Sequence, residues 1–459
     1  MTDVLIGIFV IVLIAIMAVE LRRKAGHYEF PFLAAVVFAG FIMVQVIGLR
    51  NDTGLPPGSL GKVVVMSILC VIACLVGFRS GAHRMPVLNW TYDQKKLLRA
   101  AWALVAIGAF FSILITRLPK EQTEVSQWTG RPVAYVFIAQ CFPYGLAIAL
   151  MLFLGSGRKA ALFPIMVGVF LYLDLVLVGV RRTSAAAFFL LVLLAVWYTK
   201  RRCLPKLALF LCIVIGTLAM YSVSELRSLA HGDKQFASIF QGDLFSSDAG
   251  SKTINPLQNT RDVLQNGAAE VRNAAHLMAS VEAGLNFDFG LNDWNALVFT
   301  LVPAQVFGKE FKNALMAPVN STLASGGVGG YQADTGTTFC GIGDAFGSFW
   351  YFGFVKFLLI GWVLGTLNNG ALKGNLAAAV LYMVLLTDGL VAITHASTLF
   401  LTYVAHAGIF LLPALWYAKR GNLALGSVPA RTPSTRRSLL RARFPGAMRR
   451  HHFSRKRSC

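Results

Sequence analysis

FPIMVGVFLYLDLVLVGVRRTSAAAFFLLVLLAVWY, residues 163–198, contains two apolar runs that meet at a pair of arginines, Arg181 and Arg182. Each run is close to the roughly 20 residues that an α-helix needs to cross the hydrocarbon core of a bilayer. Because lipid offers no partners to backbone N–H and C=O groups, a run of this kind must make its hydrogen bonds within itself. The stretch therefore predicts two membrane-spanning helices joined by a short turn that carries two cations.

The rest of the chain has the same character, with 56% hydrophobic and only 14% charged residues and a mean hydropathy of +0.63. Eleven apolar runs follow one another, at about residues 4–20, 30–48, 61–78, 100–117, 132–154, 160–180, 183–199, 204–222, 350–367, 374–393 and 397–417. The sequence therefore predicts an all-α polytopic integral membrane protein with about eleven transmembrane helices.

Lysine and arginine residues are concentrated in alternate loops, which sets the expected orientation. They cluster at 22–24, 79–99, 158–159, 200–206 and 373, and again in the C-terminal tail. Since cytoplasmic loops carry an excess of these residues, the N-terminus is expected in the periplasm and the tail in the cytoplasm. The first apolar run has no charged segment before it and three cations after it, which indicates a retained helix rather than a cleaved signal peptide.

These assignments divide the chain into four parts. Residues 1–222 are expected to hold transmembrane helices 1–8, residues 223–349 a large periplasmic loop, and residues 350–418 helices 9–11. Residues 419–459 form a basic cytoplasmic tail that is expected to be disordered. The tail contributes much of the net charge of +21 and should be attracted to anionic membrane lipids. Its cations do not alternate with aromatic residues, and it contains no folded nucleic-acid-binding domain, so no nucleic-acid partner is predicted.

Two segments of the outer loop are expected to be ordered. Asn255 and Pro256 begin a helical apolar pattern that runs to about Gly284, typical of an amphipathic helix lying on the membrane surface. The polar side of this helix would carry Arg261, Arg272, His276 and Glu282, which either serve a substrate or are simply solvated. The apolar segment Trp294 to Val306 is too short to span and fits a re-entrant or interfacial position better.

Cofactor motifs are absent from the sequence. Cys340 is the one cysteine on the predicted outer side, so no outer disulfide is expected within the chain. Cys70 and Cys74 share a helix face without a nearby histidine or carboxylate, which favours packing over metal binding. A Walker motif and a dinucleotide fingerprint are both missing. We therefore expect no cofactor and no metal.

Ionisable residues within the apolar runs are candidates for support or function, because each costs about 2.5–3.5 kcal/mol at a helix centre. Asp174 lies two turns before Arg181 on the same helix face. One interpretation of the two residues is an internal ion pair that holds helices together. Asp388 and His395 lie two turns apart near the outer end of the tenth run. Asp174, Asp388 and His395 are therefore assigned to helix pairing or support. A lone membrane histidine such as His406 is more often a helix-to-helix hydrogen-bond partner than a proton carrier.

Several cations lie at the outer membrane boundary, where a guanidinium fork suits the diphosphate of a lipid. Three short patches carry a resemblance to a known family. They are the turn Gly179–Thr183, the segment Leu301–Lys309, and the run Gly336–Phe346 followed by Phe352 and Gly353. With eleven spans and a large late outer loop, the chain resembles the Wzy-type polymerases of O-antigen and other oligosaccharide repeat units. Ala304, Glu310 and Asp344 depart from the residues that family more often has.

The resemblance implies a metal-independent glycosyltransferase of the bacterial inner membrane that polymerises undecaprenyl-diphosphate-linked oligosaccharides into O-antigen or exopolysaccharide. It also implies partners in polysaccharide assembly, such as a chain-length regulator. A leaving diphosphate needs fixed cations and an attacking hydroxyl needs a base. The candidates for diphosphate binding are Arg181, Arg182, Arg227 and Lys309. The candidates for the catalytic base are Asp344, His276, Glu282 and Asp334.

Three alternatives stay open at this point. A ligase that moves finished glycan from the same lipid carrier to another acceptor would share the fold and the cations. A flippase or transporter of lipid-linked oligosaccharide would show repeated halves and charges at several depths. A structural subunit of a polysaccharide-assembly complex is the third alternative.

Overall fold

The computed structural model describes residues 2–83, 90–118, 131–177, 182–202, 269–284, 286–302, 304–318 and 337–420, with a few isolated positions between them. Within these residues the secondary structure is helical, with a single isolated bridge between Tyr92 and Lys419. Ten of the described helical segments are long and apolar enough to cross a membrane. The chain is thus an all-α polytopic membrane protein, as predicted.

The first eight described helices lie in the N-terminal half of the chain. They are α1 (Thr2–Arg22), α2 (Phe30–Gly48), α3 (Ser59–Ala82), α4 (Gln94–Thr116), α5 (Arg131–Ala139), α6 (Phe142–Ser156), α7 (Leu162–Leu177) and α8 (Arg182–Lys200). The other eight are α9 (Ala269–Gly284), α10 (Leu291–Leu301), α11 (Ala304–Phe307), α12 (Lys309–Leu315), α13 (Cys340–Phe349), α14 (Phe354–Leu372), α15 (Leu376–Thr394) and α16 (Thr398–Ala418).

Ten of the eleven predicted spans are present. The predicted span 204–222 falls almost entirely outside the described residues, as do residues 421–459 of the basic tail. Two predicted spans depart from a plain helix. The fifth is interrupted between α5 and α6, and α2 contains a π-helical turn at Phe38–Met43. Trp350, with a φ of 55°, separates α13 from α14.

Ion pairs join helix ends at one side of the bundle. Glu20 and Glu29, at the junction of α1 and α2, are almost fully buried and contact both Arg23 and Arg79. Each carboxylate therefore has two guanidinium partners, which compensates for the loss of water around it. Two predicted basic loops thus meet at one end of the bundle, as alternating crossings require.

Helices α3 and α14 cross with their backbones in close contact. Gly77 and Gly81 on α3 face Gly361 and Gly365 on α14, so each helix brings a pair of glycines four residues apart. A Cβ atom on Gly77 or Gly365 would lie only 2.1 Å from a carbonyl oxygen of the facing helix. Small residues at this spacing let membrane helices pack backbone to backbone. The packing explains why glycines occur inside these two apolar helices.

The crossing makes a testable prediction. Gly365→Ala places its Cβ against the Phe78 carbonyl oxygen and should destabilise the protein by about 1–3 kcal/mol, because the helices must separate. Gly408→Ala, also inside a membrane helix, meets nothing within 4 Å and serves as the matched control. Thermal unfolding of the purified protein in detergent measures both. An equal melting temperature for the two variants would contradict the crossing.

The outer-loop helix α9 packs against the helix bundle, and its predicted position on or near the membrane surface stays a prediction. Its described part, Ala269–Gly284, packs against α3 and α13 and buries both apolar and polar residues. The Val271 N–H donates to the Oε1 atom of buried Gln45 at 3.0 Å. The polar side of α9 therefore contacts other polar groups of the protein. The predicted start at Asn255 lies outside the described residues.

The segment Trp294 to Val306, predicted as re-entrant or interfacial, covers most of α10 and α11, and α12 follows it. At 11 residues, α10 is too short to cross the bilayer, as expected, and it packs against α16 and α5. Asn295 makes two hydrogen bonds with Ala317, and the Trp294 indole N–H donates to the Leu315 carbonyl oxygen at 2.8 Å. These bonds tie α10 to the chain that follows α12.

Candidate substrate site

A cavity of about 280 Å³ lies among the membrane helices α4–α8, α15 and α16. Most of the lining is apolar, but it includes two carboxylates, Asp174 and Asp388. Hydroxyl groups of Thr183, Ser184 and Tyr403 also line it. An apolar cavity with a few convergent polar groups is the usual form of a small-molecule site.

The first turn of α8 forms part of this cavity. Arg182 is the first residue of α8, and the two residues that follow it, Thr183 and Ser184, line the cavity. The first four N–H groups of a helix lack intrahelical acceptors, and the helix dipole adds partial positive charge there. The arginine-bearing turn picked out by the sequence therefore leads into a helix start that favours an anion beside the cavity.

Asp388 lines the cavity with a carboxylate that is not fully satisfied. Its Oδ2 atom is buried and has no hydrogen-bond partner among the described residues. The His395 Nδ1 atom lies 2.8 Å from the Thr394 hydroxyl, and the support role predicted for Asp388 and His395 stays a prediction. Asp174 has an exposed side chain and also lines the cavity. Both aspartates are thus placed for a ligand.

His406, in contrast, joins three helices. Its Nε2 atom lies 2.7 Å from the Phe137 carbonyl oxygen, which can only accept. The Nε2–H group must therefore donate, and Nδ1, 2.7 Å from the Tyr144 hydroxyl, accepts. Both ring nitrogens are occupied, so α5, α6 and α16 are joined by the helix-to-helix bond that the sequence predicted.

A second group of polar residues surrounds α9. The His276 ring stacks on Tyr331 with a centroid distance of 3.7 Å and an interplanar angle of 6°. Asn273, one turn earlier and fully buried, accepts from the Tyr331 hydroxyl and donates to the Thr337 hydroxyl at 2.8 Å. Arg272 holds Asp52 with two hydrogen bonds of 3.1 and 2.9 Å. These contacts fix the position of the His276 ring.

Among the candidates for the base, His276 has a buried acceptor atom. Its Nδ1 atom is buried without a hydrogen-bond partner among the described residues. Burial lowers the pKa of His276 below its ordinary 6.5, the Arg272 charge lowers it further, and Asp52 offsets part of the change. The imidazole is therefore neutral at physiological pH and can accept a proton. The residue is only 5% exposed, which argues against simple solvation, one of the two alternatives left open for it.

The other candidates for the base are differently placed. Glu282 is paired with Lys62 across α9 and α3. Asp334 lies outside the described residues. Asp344, on α13, accepts from the backbone N–H of Ser397 at 3.0 Å and from its hydroxyl. These bonds make Asp344 a partner for the start of α16.

Lys356, which was not among the candidates from the sequence, completes a charged group around Asp344. Its Nζ atom lies 2.7 Å from Asp293 Oδ2 and 3.8 Å from Asp344 Oδ2. It also donates to the Ser348 hydroxyl at 2.8 Å. An ionisable residue in the predicted span 350–367 was a detectable signal, by the same criterion that selected Asp174. The cluster joins α10, α13, α14 and the start of α16.

This cluster predicts a structural effect. Lys356→Met would leave two carboxylates close together with no cation in the cluster, and we expect a loss of about 3–5 kcal/mol, as when one partner of a buried pair is removed. Lys62→Met, which removes the cation of the more exposed Glu282 pair, should cost about 1 kcal/mol or less. Thermal unfolding in detergent compares the two. A larger loss for Lys62→Met would contradict the assignment.

The predicted diphosphate residues are described only in part. Arg181 and Arg227 lie outside the described residues, and Arg182 is described by its backbone at the start of α8. Lys309 is exposed and begins α12 after Gly308, whose φ is 89°. Their assignment to the diphosphate stays a prediction.

These features define the class of the protein: an all-α, multi-pass membrane protein with a mainly apolar cavity that carries several polar groups, and with part of its long loop folded onto the bundle. Within that class, comparisons with protein-family models, curated proteins and solved structures find no match to the chain.

Proposed function

We propose that this protein is a glycosyltransferase that polymerises undecaprenyl-diphosphate-linked oligosaccharide repeat units into O-antigen or exopolysaccharide. The observation that carries the proposal is the cavity that meets the first turn of α8, immediately after the paired arginines. A lipid diphosphate needs cations and free N–H groups, and a sugar needs a cavity with hydrogen-bonding groups. The first turn of α8 supplies N–H groups beside such a cavity, and in the sequence the two arginines of a Wzy-like patch stand at its start.

The proposed reaction replaces one glycosidic oxygen by another. A hydroxyl oxygen of the acceptor unit attacks the anomeric carbon of the growing glycan, and the bond from that carbon to the diphosphate oxygen breaks. His276 takes the hydroxyl proton on Nδ1, and undecaprenyl diphosphate leaves with the bonding electron pair. Arg181, Arg182, Arg227 and Lys309 are the cations proposed to stabilise the charge that develops on the diphosphate.

The proposed location is the bacterial inner membrane, with the N-terminus and the long loop in the periplasm and the basic tail in the cytoplasm. The distribution of lysine and arginine supports this orientation. The proposed partners are the lipid-linked substrate, membrane lipids, and polysaccharide-assembly proteins such as a chain-length regulator. No metal or other cofactor is needed for the proposed chemistry, since side chains supply both the base and the positive charge.

The length of the glycans in the source strain tests this function. Deleting the gene should leave single repeat units on the final carrier, and the wild-type gene should restore the ladder on a gel. Long glycan that accumulates on undecaprenyl diphosphate would indicate a ligase instead. Units trapped on the cytoplasmic side would indicate a flippase, and an unchanged ladder would contradict all three activities.

A further inference from the structure

The cavity among α4–α8, α15 and α16 has an unusual balance of charge. Asp174 and Asp388 both line it, yet none of the described residues that line it is a lysine, arginine or histidine. The Oδ2 atom of Asp388 is buried without a hydrogen-bond partner among the described residues. A buried carboxylate is costly to leave unsatisfied, so its retention among membrane helices suggests a ligand that supplies hydrogen-bond donors.

We propose that this cavity binds a sugar ring of the acceptor repeat unit, with Asp174 and Asp388 accepting hydrogen bonds from its hydroxyl groups. The proposal rests on the proposed function and assigns to the cavity a ring of the acceptor unit other than the one that carries the attacking hydroxyl, because His276 does not line the cavity. Tyr172 and Tyr403 also line it and offer aromatic faces and hydroxyl groups. A ring with apolar faces and hydroxyl edges matches such a lining.

Size and charge decide against other occupants. No lysine, arginine or histidine is among the described residues that line the cavity, so the cavity offers no cation to a diphosphate. A bare monovalent cation would leave most of the 280 Å³ empty. A single sugar ring is a better match, because pockets for small molecules begin at roughly 300 Å³.

Sugar binding by the full-length protein tests the inference. The protein is placed in lipid nanodiscs, which avoids detergents with sugar headgroups. Saturation-transfer NMR then measures the binding of the methyl glycosides of glucose, galactose, mannose, rhamnose and N-acetylglucosamine. We expect at least one to bind. Asp388→Asn and Asp174→Asn should each weaken it by about tenfold, because one of the two acceptor oxygens of the carboxyl group is replaced by an amide nitrogen that only donates.

The controls separate binding from folding. Asp3→Asn changes an acid at the start of α1 whose side chain is 72% exposed, and it should bind the same sugar with unchanged affinity. If Asp388→Asn lowers the melting temperature, Thr387→Val provides a second variant that removes only a hydroxyl group from the lining. It should weaken binding by a few fold, as expected for one neutral hydrogen bond.

Two results would overturn the inference: no methyl glycoside binds, or binding is the same in both cavity variants and in wild type. Neither depends on polymerisation. If the sugar binds through Asp388 but deletion of the gene leaves the glycan ladder unchanged, the cavity assignment stands and the proposed polymerase falls. If the ladder collapses to single units but no sugar binds, the cavity assignment alone falls.

Discussion

His276→Ala should reduce glycan elongation by about 10²–10⁴-fold, the range expected for loss of a general base. The buried, unpartnered Nδ1 atom and the fixed ring give the wild-type residue this role. The affinity for the lipid-linked substrate should change little, because proton transfer belongs to the transition state. Elongation by purified protein, with the rate at saturating substrate separated from the Michaelis constant, measures the effect.

The pH profile adds a readout that a purely structural role would not change. Because burial lowers the pKa of His276, the imidazole is neutral above that lowered pKa and protonated below it. The rate of elongation should rise with pH as His276 loses its proton, at pH values below the ordinary histidine pKa of 6.5, and should then stay constant. This rise should be missing from the residual activity of His276→Gln.

Variants of two other candidates for the base, both carboxylates, are the matched controls for this prediction. Glu282→Gln and Asp344→Asn change candidates that the structure finds engaged, by Lys62 and by Ser397 respectively. Both should keep more than about a tenth of wild-type activity, since neither is assigned a proton-transfer role. A wild-type rate in His276→Ala, or a loss confined to Asp344→Asn, would reassign the base.

Arg182→Ala is expected to reduce elongation by about 10²–10³-fold, the effect of removing one group that stabilises a developing anion. Arg182→Lys keeps the charge but loses the fork that matches two phosphate oxygens, so it should recover only part of the activity. Arg117→Ala is the matched control: Arg117 follows α4, is exposed, and belongs to the same predicted outer side. It should elongate at the wild-type rate.

If Arg182→Ala and Arg182→Lys both leave the surface polysaccharide unchanged, the assignment of Arg182 to the diphosphate is wrong. If Arg182→Lys is as active as wild type, charge alone matters and the fork does not. Melting temperatures of all three arginine variants, measured in detergent, show whether any loss of activity reflects unfolding.

The membrane helices were predictable from sequence because their signal is local. A run such as 376–394 has a mean hydropathy that marks a span wherever it sits in the fold. The environment of α9 was not predictable, because its polar residues meet groups far away in the chain, such as Gln45 and Asp52. The same pattern of polar residues suits a wet surface and a buried polar cluster equally well.

In the candidate site, too, features with a local sequence signal were predictable and features that depend on the tertiary fold were not. The sequence selected Asp174 and Asp388 by the cost of charge in lipid, and both line one cavity. The sequence did not predict that Tyr331 stacks on His276, because a tyrosine in a loop carries no local signal that identifies its partner. Asp344 was selected from a resemblance between patches. Its hydrogen bond to the Ser397 backbone across 53 residues depends on the tertiary fold.

Elongation by the purified protein is the most direct test of the central claim. The protein is reconstituted in lipid vesicles and supplied with single repeat units on undecaprenyl diphosphate, with no other protein present. We predict a ladder of longer glycans on the lipid, with one undecaprenyl diphosphate released for each new glycosidic bond. Units that cross the vesicle membrane without elongation, or units that remain unchanged, would contradict the account.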